Sequence, residues 1–564
     1  MELNDKGLKD SSVWQQAGYE LPHFDRKKVG EATKEAPCWI HFGCGNLFRA
    51  FPCHAAQKLL NRGIMKTGII VAEGYDYEIL ERINRPHDEY SILVTLKTNG
   101  TVEKTVIGSV TESCILDAKN EKEFHRLKEI FAKPSLQMAS FTITEKGYAV
   151  KDAQGTLLPA VEEDLRKGPE MPSSYIGKVA ALLYHRYQNG AMPIAMVSMD
   201  NCSHNGDRLH EAVKTFAQGW VQQGLADAGF AEYADNRKCV SFPWTMIDKI
   251  TPRPDRSVEK MLKEDGVSGA QVMVTTKNTY VASFVNAEEC EYLVIEDAFP
   301  NGRPALEKAG IIFTDRETVD KVEKMKVCTC LNPLHTVLAI FGCLFGYDKI
   351  SEEMKDDDLK KLVETVGYKE GLPVVVYQPV LNPKEFIDTV LNVRLPNPFM
   401  PDTPQRIATD TSQKLSVRFG ETIRAYEKAS DKKVSDLKHI PFVFAGWLRY
   451  LMAVDDEGEE FELSSDPLLS YLHPYAKKFK KLFLRRCADK ESGPGTSCEE
   501  AISEIKENLM PLLKDADIWG VDLERIGLAD TVCGYFAQML AGKGAVRRAL
   551  RTHLKETECK DSVN

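Results

Sequence analysis

Short apolar runs rich in β-branched residues alternate with amphipathic stretches from Pro37 to roughly Pro300, which predicts an α/β domain on a mostly parallel sheet. Candidate strands are CWIHF (38–42), GIIVA (68–72), QMASFTI (137–143) and PIAMVSM (193–199). Between the first two, Ala55, Ala56, Leu59 and Leu60 recur at helical spacing within Leu47–Arg62, and Gly63 supplies a stop. The segment SILVTLKTNGTVEKTVIGSV places Asn99-Gly100 between two alternating runs, predicting an antiparallel hairpin that decorates the sheet. The strand-like block TYVASFVNAEECEYLVIED then closes the domain.

After about Gly302 strand signals thin out. Long amphipathic stretches at 317–347, 411–430 and 497–515 predict a helical second domain, with DDEGEEFELSSDP (455–467) and ESGPGTS (491–497) as loops between helices. At 564 residues the chain exceeds the size of a single hydrophobic core, so division into 1–305 and 306–564 is expected. GKGAVRR at 542–548 lacks the Ser or Thr and the preceding strand of a phosphate loop and reads as helix punctuation.

Composition, 43% hydrophobic and 28% charged, is that of an ordinary globular protein. A formal charge of -10 argues against a nucleic-acid or anionic-membrane partner, and the basic stretch KKFKKLFLRR (477–486) reads as a solvated helix face with an apolar seam. The N-terminal residues lack a signal peptide's pattern and no apolar run approaches spanning length, so the expectation is a cytoplasmic protein, a monomer or small homo-oligomer. Fourteen scattered cysteines suggest reduced, buried thiols. There is no CxxC pair; Cys328, Cys330 and His335 lie close in sequence, but a CxC on an apolar helix is read as packing, and no metal is expected.

The first predicted strand runs into Gly43-Cys44-Gly45-Asn46-Leu47-Phe48-Arg49 and then a helix, the setting in which main-chain amides face a pyrophosphate. Gly43 permits the tight turn and Gly45 the approach of phosphates; Phe48 stands where a third small residue is usual. Glu73, at the end of the second strand, is placed to accept the adenosine ribose hydroxyls, with Asp76 as its competitor and capping of the next helix as the alternative role. A carboxylate there favours NAD over NADP. The fold class expected is therefore a Rossmann-type N-terminal domain followed by a predominantly α-helical one.

A second cluster is Glu323-Lys324-Met325-Lys326 followed by CTCLNPLH, with Asn332 and His335 three apart on one face of an apolar helix. Such a pair either satisfies itself and nearby carbonyls or serves a ligand.

GCGNLFR, TITEKGY (142–148), SMDNCSHNGD (198–207), TMIDKITP (245–252), VIEDAFPNGRP (294–304) and RLPNPFMPDTPQRIATDTSQKL (394–415), in this order, resemble the polyol-specific long-chain dehydrogenases, the mannitol dehydrogenase family. The resemblance implies metal-independent hydride transfer with a lysine as acid/base and an asparagine and a histidine holding the substrate oxygen. Those roles fall to Lys326, Asn332 and His335. The family places its lysine five residues before the asparagine, whereas Lys326 is six before Asn332; Lys324 is the rival, and the glutamate three residues earlier favours Lys326.

The resemblance also implies substrate contacts from Asn201, Asp248, Arg394 and Asn397, and cofactor contacts from Thr144, Glu145 and Gly147 beside Gly43, Gly45, Asn46, Arg49 and Glu73. Arg253 is an added cation suited to a carboxylate, as are Lys146 and Arg394. The substrate expected is a sugar acid, the D-mannonate/D-fructuronate pair with NAD, with mannitol or another neutral polyol as the alternative. An inactive nucleotide-binding sensor is the alternative of another class.

Overall fold

The computed structural model describes residues 1–488 and 498–561, so the loop expected at 491–497 lies outside the described residues. The chain divides into two compact units, Met1–Asp320 and Lys321–Asn564.

The first unit is built on strands β1 (Trp39–Phe42), β2 (Ile69–Glu73), β3 (Val110–Ile115), β4 (Met138–Phe141), β5 (Ile194–Ser198) and β6 (Val240–Ser241). All neighbours are parallel, in the order β3-β2-β1-β4-β5-β6. This is the doubly wound dinucleotide-binding order, in which ligands sit outside the carboxyl ends where the order reverses, here between β1 and β4. Both faces of the sheet are covered. Ile40, Phe42, Ile70 and Ala72 enter one buried cluster while Trp39, Ile69 and Val71 enter another, which is why the strands read as unbroken apolar runs.

Helices α1 (Asn46–Ala50), α2 (Pro52–Asn61), α3 (Glu121–Phe131), α4 (Tyr175–Gln188) and α5 (Asn205–Gln222) form the connections. The single helix expected over 47–62 is thus two. Phe51 leaves helical geometry at φ -121°, ψ -68°, and Pro52 starts the next helix at a position whose N–H has no intrahelical partner to lose.

The hairpin at Asn99-Gly100 forms, with Ser91–Leu96 antiparallel to Val102–Ile107 and Gly100 at φ 85°. Expected to decorate the parallel sheet, it instead joins Phe284–Glu288 and Tyr19–Glu20 in a separate four-stranded sheet. The closing block is likewise divided. Tyr292–Glu296 pairs instead with Thr245–Asp248 and Ile312–Thr314. Alternation in sequence reveals strands but not which edge each one finds.

The stretch expected as one helix over 317–347 consists of α6 (Arg316–Met325), a π-turn at Lys326–Cys330 and α7 (Asn332–Phe345). It is long and apolar enough by composition to cross a membrane, yet 78% of its most apolar window is buried inside the protein, as in a core helix. The 411–430 stretch is also broken, at Phe419, into α8 (Thr411–Arg418) and α9 (Gly420–Lys428). The second unit centres on α10 (His439–Tyr450), buried along its whole length, with Phe442 stacked on Phe341 of α7 at 5.5 Å.

In α11 (Leu469–Ala488) the basic segment buries Phe479 and Phe483 while Leu482 stays outside. After α12 (Cys498–Leu513), α13 (Ala545–Asp561) starts where the carboxylate of Asp456 accepts the amides of Val546 and Arg547 at 2.8 and 2.9 Å. A protein carboxylate thus fills the anion position of the GKGAVRR turn.

Gly43 follows β1 at φ 99°, and a Cβ there would lie 2.3 Å from the Thr142 carbonyl oxygen; a Cβ on Gly45 would meet open space. Gly43→Ala is therefore expected to cost roughly 2–3 kcal/mol in urea unfolding, and Gly45→Ala less than about 1 kcal/mol. Equal losses from the two would contradict the steric assignment.

Candidate active site

In the first unit the candidate site gathers at the carboxyl ends of β1, β2, β4 and β5. The Gly43 amide donates to the Ala72 carbonyl at 2.9 Å, tying the glycine turn to β2. Glu73 is buried. Its Oε2 accepts the Cys44 amide at 2.8 Å, and its Oε1 accepts the amides of Tyr75 and Asp76 at 2.8 and 3.0 Å. Asp76 is also buried and accepts from the Thr275 hydroxyl at 2.6 Å. Glu73 thus holds the turn and the chain beyond β2 in one piece.

Asn46 and Arg49 face inward. The Arg49 guanidinium donates to the Ala282 carbonyl at 2.8 Å and to Asn46 Oδ1 at 2.9 Å, and Asn46 Nδ2 donates to the Pro252 carbonyl at 3.0 Å. Arg253, next along the chain, is exposed with its guanidinium 4.6 Å from the Tyr280 ring centroid.

Beyond β4, Thr144 adopts φ 64°, a left-handed conformation that costs a β-branched residue on the order of 1–3 kcal/mol. What holds it is Asp200, a buried residue after β5 that the sequence reading passed over for its neighbour Asn201. The Asp200 carboxylate accepts the amides of Ile143 and Thr144, each at 2.9 Å, and the Tyr148 hydroxyl at 2.5 Å. Glu145 is exposed and pairs with Arg208 at 2.9 Å, while Gly147 lies against the Ile143 side chain.

Asn201 is exposed, and Asp248 ends its strand with little surface exposed. A second residue missed by sequence, Asn205, links the two regions. Its buried amide donates to the Asp200 carbonyl at 2.9 Å and to the Thr245 hydroxyl at 2.8 Å, and its Oδ1 accepts the Thr245 amide at 3.0 Å. SMDNCSHNG contained both residues; nothing in the pattern told the carboxylate's structural duty from that of the amide beside it.

In the second unit, the Leu331 amide donates to the Lys326 carbonyl at 3.1 Å, an i to i+5 bond that closes the π-turn. Lys326 is 3% exposed, whereas Lys324 is exposed to solvent. Asn332 opens α7 and His335 follows one turn later. The structure brings His335, Arg394 and Asn397, far apart in sequence, around one small cavity with Ser351 and Asp402.

Arg394 ends another π-turn, Val390–Arg394, and both it and Asn397 are buried. Asp402 Oδ2 lies 3.6 Å from His335 Nε2, and its other oxygen pairs with Arg406. Burial lowers the His335 pKa to about 4; Asp402 opposes the shift and Arg418, Arg406 and Arg394 add to it. Burial thus favours the neutral imidazole at His335. Asp402 and Ser351 were not singled out from the sequence, because their approach to His335 depends on tertiary folding.

Among the described residues no group of three or more His, Cys, Asp or Glu side chains is placed to hold a metal ion. Cys330 is buried with its thiol toward the Pro383 carbonyl, and burial raises both Cys328 and Cys330 to about 12.

Residues 38–308 match the family model described as the mannitol dehydrogenase Rossmann domain, and 318–525 the mannitol dehydrogenase C-terminal domain. The chain is 49% identical over 552 residues to a D-mannonate oxidoreductase of Thermotoga maritima, covering 98% of each. It is 29% identical to the polyol:NADP oxidoreductase of Gluconobacter oxydans over 76% of this chain and 83% of that protein. The solved structure of Pseudomonas fluorescens mannitol 2-dehydrogenase with NAD and D-mannitol shares the fold at 24% identity and a TM-score of 0.64, over 99% of this chain and 100% of that one.

Two outcomes are expected. Thr144→Gly stabilises the protein by about 1 kcal/mol in urea unfolding because it relieves the left-handed strain. Because the folded pKa of His335 lies below its ordinary value of 6.5, its stabilising contribution is present above pH 6.5 and lost as the pH falls toward 4. Histidine NMR showing this ring titrating near 6.5 would contradict the burial argument.

Proposed function

The chain belongs to the mannitol dehydrogenase family, and from that premise we propose that it interconverts D-mannonate and D-fructuronate with NAD(H). As a member it is an oxidoreductase acting on a secondary alcohol of a polyol or sugar acid. The observation that carries the narrower reading is 49% identity along almost the full length to a protein named D-mannonate oxidoreductase.

The residues present suit a dinucleotide. The sheet order places the glycine turn and the Thr144 loop at the two sides of the switch point, and the open space beside Gly45 leaves its main chain approachable. Gly43, Gly45 and the Thr144–Gly147 segment would hold the cofactor, with Glu73 and Asn46 shaping the turn from behind. Bound there, the nicotinamide supplies the hydride acceptor for oxidation and the donor for reduction. Two carboxylates at the end of β2 and just beyond it, Glu73 and Asp76, disfavour the extra phosphate of NADP.

In this reading Lys326 takes the hydroxyl proton during oxidation and returns it to the ketone during reduction. Its burial supports it over Lys324, whose side chain is exposed to solvent. The one-residue-longer separation from Asn332 is taken up by the π-turn, which holds more residues per turn than an α-helix. Asn332 and neutral His335 stabilise the developing alkoxide by hydrogen bonds. Asn201, Asp248, Arg394 and Asn397 orient the remaining hydroxyls, and no metal takes part.

Purified protein assayed with D-mannonate, mannitol, arabinitol and altronate, each with NAD and NADP, tests this reading. D-Mannonate with NAD is expected to exceed mannitol by about tenfold or more in kcat/KM, a difference of roughly 1.4 kcal/mol, and to persist in EDTA. Mannitol as the better substrate would overturn the substrate assignment. NADH binding without turnover of any of them would mark a binding protein.

A further inference from the structure

We propose that the cavity behind His335 binds one water molecule between the imidazole, Ser351 and Asp402, and that this water keeps the ring hydrogen on Nδ1, the nitrogen left to meet a ligand. The part His335 then plays in the reaction rests on the functional reading above.

The cavity measures about 10 Å³, room for one water molecule and not for a sugar. His335 and Ser351 line it, and each brings a sealed polar atom, Nε2 and Oγ, that has no hydrogen-bonding partner among the described residues. Ser351 is 3% exposed, so neither bulk solvent nor the protein satisfies its hydroxyl. Asp402 completes the polar wall. Its Oδ2 lies 3.6 Å from His335 Nε2, too long for a direct bond and a gap of the kind that a bridging water closes. The other Asp402 oxygen is engaged by Arg406.

Three segments hold these groups. His335 lies one turn into α7, Ser351 belongs to the short helix Ile350–Glu353, and Asp402 lies beyond the Arg394 π-turn. The Ile350 amide donates to the Asp402 carbonyl at 3.0 Å, which joins Ser351 and Asp402 through the main chain rather than through the imidazole. A buried water needs roughly two to four polar partners. Nε2, Oγ and Oδ2 supply them.

The hydrogens then decide the tautomer. Burial favours the neutral imidazole, so one ring nitrogen donates and the other accepts. With Nε2 as acceptor, the water donates one hydrogen to it and one to Asp402, and the Ser351 hydroxyl donates to the water. Every hydrogen is used. With the hydrogen on Nε2, the water accepts it, and one hydrogen of the water or of Ser351 finds no acceptor among the three groups. A buried hydrogen without an acceptor costs more than a spare lone pair. The carboxylate facing Nε2 directly would draw the hydrogen there, so the water reverses the preference that Asp402 alone would set. Nδ1–H is then the donor available to the substrate oxygen.

The test uses long-range proton–nitrogen NMR of protein labelled with heavy nitrogen in its histidines, the His335 signals being identified by their loss in His335→Gln. D-Mannonate oxidation and NADH binding are measured beside it. The unsubstituted protein is expected to carry the hydrogen on Nδ1. Ser351→Ala leaves the water two partners and should keep that tautomer, with kcat within about threefold. Ser351→Val, whose methyl groups take the water's space, should move the hydrogen to Nε2 and lower kcat about tenfold or more, with NADH affinity within about twofold. An unsubstituted protein with the hydrogen on Nε2 would overturn the inference, as would Ser351→Val with the hydrogen still on Nδ1. A shifted hydrogen with unchanged kcat would overturn its part in the reaction. If circular dichroism shows Ser351→Val unfolded, the tautomers of the unsubstituted protein and of Ser351→Ala decide. If D-mannonate is not turned over, the substrate reading fails, while the tautomers, read without substrate, still decide this inference.

Discussion

Main-chain amides that lose their ladder or helical partners where an element begins or ends cannot be left unpaired inside a protein. This chain meets that requirement with buried carboxylates. Glu73 collects the amides of Cys44, Tyr75 and Asp76; Asp200 collects those of Ile143 and Thr144; in the helical unit Glu370 collects those of Lys438, His439 and Ile440. At the carboxyl edge of the parallel sheet these bonds fix the shape of the turns on either side of the switch point. In the proposed cofactor reading, Glu73 and Asp200 would also set the charge beside the two ends of a dinucleotide, so fold and cofactor preference would share residues.

Much of the sheet was legible because a parallel strand buried on both faces must be apolar at successive positions, and β1, β2, β4 and β5 are so. The break at Pro52 was written in the sequence but hidden by helical periodicity on both sides of it. Assignment of the hairpin and of Phe284–Glu288 to a separate sheet was not legible, since alternation says nothing about which strand edge will be met. The crossover of two helices also lengthens the path from Gly43 to Glu73 beyond the usual spacing.

Candidate site residues divide the same way. The glycine turn, Thr144, Asn332 and His335 stood out as motifs, yet their supports did not. Asp200 sits beside Asn201, the residue expected to contact substrate, and Asp402 reaches His335 only through tertiary folding. π-turns at Lys326–Cys330 and Val390–Arg394 leave no periodic signature, although each carries a residue proposed to meet substrate. Glu73 shows the reverse case: its position suggested ribose binding, and the structure gives its carboxylate three main-chain partners.

The account turns on Lys326, the buried lysine of the π-turn before α7, acting as proton acceptor. Its most direct measurement is the rate of D-mannonate oxidation by Lys326→Ala and Lys324→Ala, with and without added primary amines. Loss of activity by on the order of 10²–10⁴ in Lys326→Ala alone, restored in part by amines according to their basicity, is the result the account requires. Near-normal activity in Lys326→Ala, or the same loss and rescue in Lys324→Ala, would contradict it.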